Sequence, residues 1–96
     1  MSYKHYDQLV ERRDAVCEIR MDADSIKLTL DKVYPKALAR VAEAMENMQL
    51  CRYTVVEKGC VWLMQPDYGM FADDEEFRSI VSELFEEENY EIIYID

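Results

Sequence analysis

The chain has 96 residues, 50% of them hydrophobic, and a formal net charge of -10 at pH 7. This length suits one hydrophobic core, so we expect a single domain over residues 1–96. No run of about 20 apolar residues is present to span a bilayer, and the first residues lack the apolar stretch of a signal peptide. The sequence therefore predicts a cytoplasmic protein with no membrane partner.

The N-terminal part of the chain has a weak helical pattern followed by two alternating segments. Residues 3–14 place Tyr6, Val10 and Arg13 near helical spacing, which predicts a short helix. Residues 17–21 and 26–30 alternate apolar and polar side chains, as strands do. These segments are either one strand or a hairpin that turns at residues 22–25. In both cases we expect residues 1–22 to form an N-terminal extension, helical or hairpin.

The middle of the chain predicts a helix and a hairpin. Pro35 suits the first turn of a helix, and residues 36–48 are rich in helix formers with an apolar stripe. Residues 52–57 and 60–65 are rich in β-forming side chains, and two residues, Lys58 and Gly59, stand between them as a short hairpin loop.

The last third predicts a second helix and a final strand. Asp73 and Glu76 have the spacing of a capping box, and an apolar stripe continues to about Glu88. Asn89 is expected to adopt the left-handed conformation just past the end of this helix. Residues 90–95 then read as a strand. Residues 26–96 thus predict the order β-α-β-β-α-β, that of the ferredoxin-like split βαβ unit, an α+β fold with an antiparallel sheet and both helices on one face. The alternative is an extra N-terminal hairpin, which would give an irregular α+β sheet.

Residue types that mark catalytic and metal sites are few and scattered. Cys17, Cys51 and Cys60 are widely spaced, and His5 is the single histidine, so a structural zinc ion would lack ligands. The glycines occur singly, which argues against a phosphate-binding loop. Glu57, Asp67 and the acids of the predicted second helix have no histidine or glycine-rich loop nearby in the sequence that would mark a catalytic site. We therefore expect a non-enzymatic protein with no catalytic residues, no metal and no cofactor.

The negative charge is concentrated near the C-terminus. Residues 1–66 contain 10 acidic and 10 basic residues, whereas residues 67–96 contain 11 acidic residues and a single base, Arg78. A surface with this charge repels nucleic acids and anionic membranes and attracts basic partners. The expected partner is a protein with a basic surface, without direct binding of nucleic acid.

Two groups of acidic residues lie on the predicted second helix in opposite relation to its dipole. In the first turn negative charge stabilises the helix, whereas in the last turn it is unfavourable and like charges one turn apart repel. The second group is either a solvated surface or a contact for a positively charged groove. The candidate contact residues are Asp73, Asp74, Glu76, Glu83, Glu86, Glu87 and Glu88.

Aromatic residues on the strands are further candidates for partner contacts. Tyr90 and Tyr94 alternate with Ile93 and Ile95 on the last strand, and Trp62 lies in the hairpin. In a split βαβ unit the helices cover one face, so the other needs shielding by the N-terminal segment, by a second copy in a homodimer, or by a target protein. Trp62, Tyr90 and Tyr94 are therefore the predicted aromatic anchors.

These observations favour an acidic protein-binding inhibitor or regulator. In size and charge the chain resembles small acidic phage inhibitors, including DNA mimics of anti-restriction and anti-CRISPR character, although it shares no motif with them. The sharpest form of the hypothesis is a nucleic-acid mimic that blocks a nucleic-acid-binding machine through its acidic C-terminal helix. The alternatives are an immunity or assembly module that binds a basic protein without mimicry, and a small-molecule-sensing or enzymatic ferredoxin-like domain.

Overall fold

The computed structural model describes residues 12–95, which form one mixed β-sheet and two α-helices around one hydrophobic core. Neither of these helices is long and apolar enough to cross a membrane. The elements in chain order are β1 (Arg13–Met21), β2 (Ser25–Asp31), α1 (Pro35–Asn47), β3 (Cys51–Glu57), β4 (Cys60–Pro66), a 3-10 turn (Tyr68–Met70), α2 (Asp74–Glu87) and β5 (Tyr90–Tyr94).

The strand order β3-β4-β2-β1-β5 shows that the ferredoxin-like prediction is wrong. Without β1 the order would be β3-β4-β2-β5, that of the predicted unit. Instead β1 lies between β2 and β5, pairing with β2 in antiparallel and with β5 in parallel orientation. The sheet is therefore mixed, and the β4-α2-β5 connection crosses two strands.

A local hairpin explains why β1 occupies this position. The turn between β1 and β2 is closed by a hydrogen bond from the Asp22 N–H to the Ser25 carbonyl, 2.8 Å long. A short connection makes antiparallel pairing with β2 the nearest solution for β1. Residues 13–21 are thus an interior strand of the sheet. The predicted helix over 3–14 is wrong at residues 12–14, because Arg12 lies outside any helix or strand and residues 13 and 14 belong to β1. The rest of the predicted helix, residues 3–11, lies outside the described residues.

Local sequence signals placed the other elements correctly. Pro35 occupies the first turn of α1, and Asn89 follows α2 with a φ of 67°. Gly59 has a φ of 75° in the hairpin loop, and its carbonyl accepts the Leu30 N–H of β2 over 2.7 Å. A β-carbon at Gly59 would both strain this φ and approach the Leu30 carbonyl oxygen to 3.3 Å.

The core lies between the sheet and both helices. On the central strands, Ile26, Leu28, Val61 and Leu63 are fully buried and alternate with residues that point to the opposite face. The helices contribute to the same core with the following buried residues: Ala37, Leu38, Val41, Ala42 and Met45 from α1, and Phe77, Val81 and Phe85 from α2. Both helices therefore cover one face of the sheet. We call the other face the open sheet face.

The free edge of β3 is partly covered by a side chain from α1. The Glu46 carboxylate accepts the Thr54 N–H over 2.9 Å and also the Thr54 hydroxyl. These hydrogen bonds lower the pKa of Glu46. Unpaired N–H groups on an edge strand invite pairing with another chain, so this carboxylate occupies a position at which a foreign strand would bind.

Candidate functional site

The acidic residues at the start of α2 cap the helix. The Asp73 side chain accepts the Glu76 N–H over 2.8 Å, and the Glu76 carboxylate accepts the Ala72 N–H over 2.7 Å. The predicted cap at Asp73 is confirmed, although the return bond from Glu76 reaches Ala72 instead of the N–H of Asp73 itself. Asp73 and Glu76 thus satisfy backbone N–H groups that the helix leaves unpaired, while Asp74 is exposed in the first turn.

Two acidic residues at the end of α2 form ion pairs with bases that are distant in sequence. Glu86 contacts Arg12 over 2.6 Å, and Glu88 contacts Arg40 of α1. Glu86 raises the pKa of Arg12 through this hydrogen bond and its negative charge. Neither acid has a base beside it in the sequence, and the fold supplies both partners. The Arg12–Glu86 pair is about half exposed, so water screens most of its contribution to stability.

Three glutamates on the outward side of α2 remain exposed. Glu75, Glu83 and Glu87 fall on one ridge of the helix at multiples of four residues, with Ser79 in the gap, and we call them the outer ridge. Within residues 12–95 no lysine or arginine forms an ion pair with any of the three. They lie away from Phe77 and Phe85, which α2 buries against the sheet.

The outer ridge contains an unfavourable pair that can be tested by substitution. Glu83 and Glu87 are one turn apart, and Glu87 is the last residue of the helix, where the dipole opposes negative charge. Replacing both by glutamine should raise the free energy of unfolding by about 0.5 kcal/mol in low salt. Urea unfolding provides the measurement. Glu75→Gln should have the opposite sign because Glu75 lies in the first turn, and an increase for that variant would contradict the dipole explanation.

The two tyrosines of β5 face the helices and not the open sheet face. Tyr90 is 1% exposed, and its hydroxyl accepts the Tyr34 N–H over 3.0 Å. The Tyr94 hydroxyl donates to the Arg78 carbonyl over 2.6 Å, which leaves it as acceptor for Ser82 at 2.9 Å. Burial raises the pKa of Tyr94. The alternation on β5 was predicted correctly, but in this structure the tyrosines join the core layer.

The open sheet face carries Trp62 together with exposed aliphatic residues. Trp62 of β4 lies beside Val55 of β3 and Lys27 of β2, and the Lys27 ammonium is 4.8 Å from the centre of the indole ring. Towards the β5 edge of the same face, Ile93 and Ile95 are 48% and 53% exposed. Among the predicted aromatic anchors, Trp62 is the one that the described structure places on this face.

The cysteines are placed as structural residues. Cys17 and Cys51 are buried and Cys60 is half-buried, and none forms a disulfide within the described residues. Burial raises the pKa of the Cys17 thiol to about 12, so this sulfur is a poor nucleophile at neutral pH. Over residues 12–95, no cluster of three or more histidine, cysteine, aspartate or glutamate side chains is arranged to hold a metal ion.

A basic pocket at the start of α1 was not predicted from the sequence. It has a volume of about 490 Å³, and its lining includes Arg13, Tyr34, Lys36, Arg40, Glu88 and Tyr90; we call it the α1 pocket. The three bases come from β1 and from two turns of α1, so no compact sequence motif announces them. In the sequence, Lys36 and Arg40 stand four residues apart just after Pro35, but nothing there indicates that Arg13 lies beside them.

The chain matches no protein-family model, no curated protein and no solved structure. Its own surfaces are therefore the features that bear on function. They are the outer ridge of α2, the open sheet face and the α1 pocket.

Proposed function

We propose that this protein is a non-enzymatic inhibitor or regulator that binds a basic protein surface through the outward side of α2. The observation that carries this proposal is the exposed outer ridge, Glu75, Glu83 and Glu87, on a chain with a net charge of -10. Of these, Glu83 and Glu87 oppose helix stability. A contact with a basic partner would turn that local cost into a favourable interaction, and negative charge here would accelerate association.

The ion pairs of α2 bear on whether this helix mimics a nucleic acid or docks on a basic protein surface. Glu83 and Glu87 are about 6 Å apart along the helix axis, a distance similar to the spacing of phosphates along a strand. However, Ser79 interrupts the ridge, and Glu86 and Glu88 are already paired with arginines. A continuous row of phosphate-like charges is therefore absent from α2. These features favour docking on a basic protein surface over extended nucleic-acid mimicry.

Two triple variants with equal charge changes test the proposal. One replaces the outer ridge by glutamine (Glu75, Glu83 and Glu87), and the control replaces three exposed glutamates of the sheet by glutamine (Glu18, Glu57 and Glu91). Proteins captured from a cell extract of the source organism are compared between the wild type and both variants. We expect the specific partner to be lost with the ridge variant and retained with the sheet variant.

The salt dependence of the interaction provides the quantitative readout. With the purified partner, the ridge variant should bind more slowly and show a flatter dependence of affinity on ionic strength, because screening acts on exposed charges. Equal affinity and equal salt dependence for the wild type and the ridge variant would contradict the proposal. Loss of binding in the sheet variant alone would indicate that the partner contacts the open sheet face instead of α2.

A further inference from the structure

The α1 pocket has the size of a site for a small molecule. Its volume of about 490 Å³ falls within the range of roughly 300–1,000 Å³ that is typical of such sites. Two tyrosine rings contribute to its lining. Tyr34 is 60% exposed, while Tyr90 is buried beneath it and holds the Tyr34 backbone through its hydroxyl. The exposed ring of Tyr34 therefore offers an aromatic surface at the entrance to the pocket.

The pocket is positively charged, in contrast with the rest of the chain. Arg40 is balanced by Glu88. Arg13 and Lys36 pair with no carboxylate in the described part of the chain, which leaves two positive charges at the pocket. The Arg13 guanidinium lies 4.8 Å from the centre of the Tyr34 ring and 5.8 Å from that of Tyr90, so the rings orient its charge without neutralising it.

From this combination we propose that the α1 pocket binds a small organic phosphate, with the phosphate between Arg13 and Lys36 and a planar ring against Tyr34. A phosphate monoester carries a charge of about -1.5 to -2 at pH 7, which matches two cations better than a carboxylate does. The first turn of α1 adds to the positive potential, because its N-cap residue, Tyr34, makes no side-chain capping bond. This site is independent of the outer ridge and of the partner proposed for it.

Phenyl phosphate is a suitable probe because it combines the two features that the pocket recognises. In a titration followed by ¹H–¹⁵N NMR, we expect saturable shifts of the Lys36 and Ala37 amides. Phenol lacks the charge and should produce no such shifts, and benzoate with a single charge should bind more weakly. Inorganic phosphate should shift the same amides with lower affinity because it cannot contact the Tyr34 ring.

Matched variants separate specific binding from general attraction of anions. Lys36→Gln should weaken phenyl phosphate binding by about tenfold, as expected for the loss of one charge-assisted hydrogen bond. Lys58→Gln makes the same charge change in the β3–β4 loop, outside the pocket, and should leave the affinity nearly unchanged. Tyr34→Leu should weaken binding of phenyl phosphate but not of inorganic phosphate. Lys36 and Tyr34 are exposed, so both variants are expected to fold, which near-UV circular dichroism would verify.

Three results would overturn the proposal. The first is the absence of saturable shifts at Lys36 and Ala37 with phenyl phosphate up to about 10 mM, a concentration above which any binding energy is very small. The second is an equal loss of affinity in Lys36→Gln and Lys58→Gln, which would indicate nonspecific attraction. The third is much tighter binding of a phosphotyrosyl peptide than of phenyl phosphate, which would replace the small molecule by a protein ligand.

Discussion

Phe77→Ala should lower the free energy of unfolding by about 3–5 kcal/mol. Phe77 is fully buried in the first half of α2, and its ring centre is 4.8 Å from that of Phe71. Removing the ring would leave a cavity at the junction between α2, the preceding loop and the sheet. Because small domains are stable by only about 5–15 kcal/mol, we expect a large decrease in the urea midpoint and partial unfolding on mild heating.

Ile93→Ala is the control on the opposite face of the sheet. Ile93 is 48% exposed on β5, next to Val16 of β1. Its truncation should cost less than about 1 kcal/mol, because it leaves no enclosed cavity. Equal losses for the two variants would mean that the open sheet face is covered as firmly as the helix face. In that event, another segment of the chain or a second copy would have to bury the open sheet face around Ile93.

The elements that could be predicted from sequence are those with local signals. Pro35 marks the start of α1, Asp73 caps α2, and the loop at Lys58 and Gly59 joins β3 to β4. Each signal acts through the backbone of a few neighbouring residues, so its effect does not depend on how the distant elements are arranged. Period-2 alternation likewise showed which β5 side chains share a face.

The neighbours of each strand could not be predicted in this way. Alternation assigns a side chain to one of two faces, but it contains no information about which strand lies alongside. The parallel pair of β1 and β5 joins residues such as Ala15 and Ile92, which lie at opposite ends of the described chain. Insertion of β1 changes the sheet from antiparallel to mixed while leaving every local pattern intact.

The same limitation affected the candidate site. Arg12 and Glu86 are 74 positions apart, and Arg40 and Glu88 are 48 positions apart, so the sequence shows an acidic cluster where the fold forms ion pairs. Likewise, the bases of the α1 pocket are brought together by the pairing of β1 with β5 and by the contacts of Tyr34 with Tyr90 and Arg13. The alternation of Tyr90 and Tyr94 was clear, but the choice between the helix face and the open sheet face required the three-dimensional arrangement.

Alkaline pH should destabilise this protein through a cysteine in the core. Cys17 of β1 is fully buried, and burial raises the pKa of its thiol from 9.0 to about 12, against a smaller opposing effect of Arg78. Above pH 9 the unfolded chain loses this proton while the folded chain keeps it, so ionisation favours unfolding. Below pH 9 the thiol is neutral in both states and does not affect the free energy of unfolding. As the pH rises from 9 to about 12, the free energy of unfolding decreases.

Cys17→Ala isolates this contribution from other groups that titrate in the same range. Tyr94, whose pKa is also raised by burial, remains in the variant and continues to lower its stability at high pH. Between pH 8 and 10 the wild type should therefore lose about 1 kcal/mol more than the variant, measured by urea unfolding under reducing conditions. Alanine also leaves a small cavity, but that cost is constant with pH and cancels in the comparison. Parallel pH profiles for the two proteins would mean that the Cys17 thiolate is accommodated in the folded state, contrary to its position between the sheet and α2.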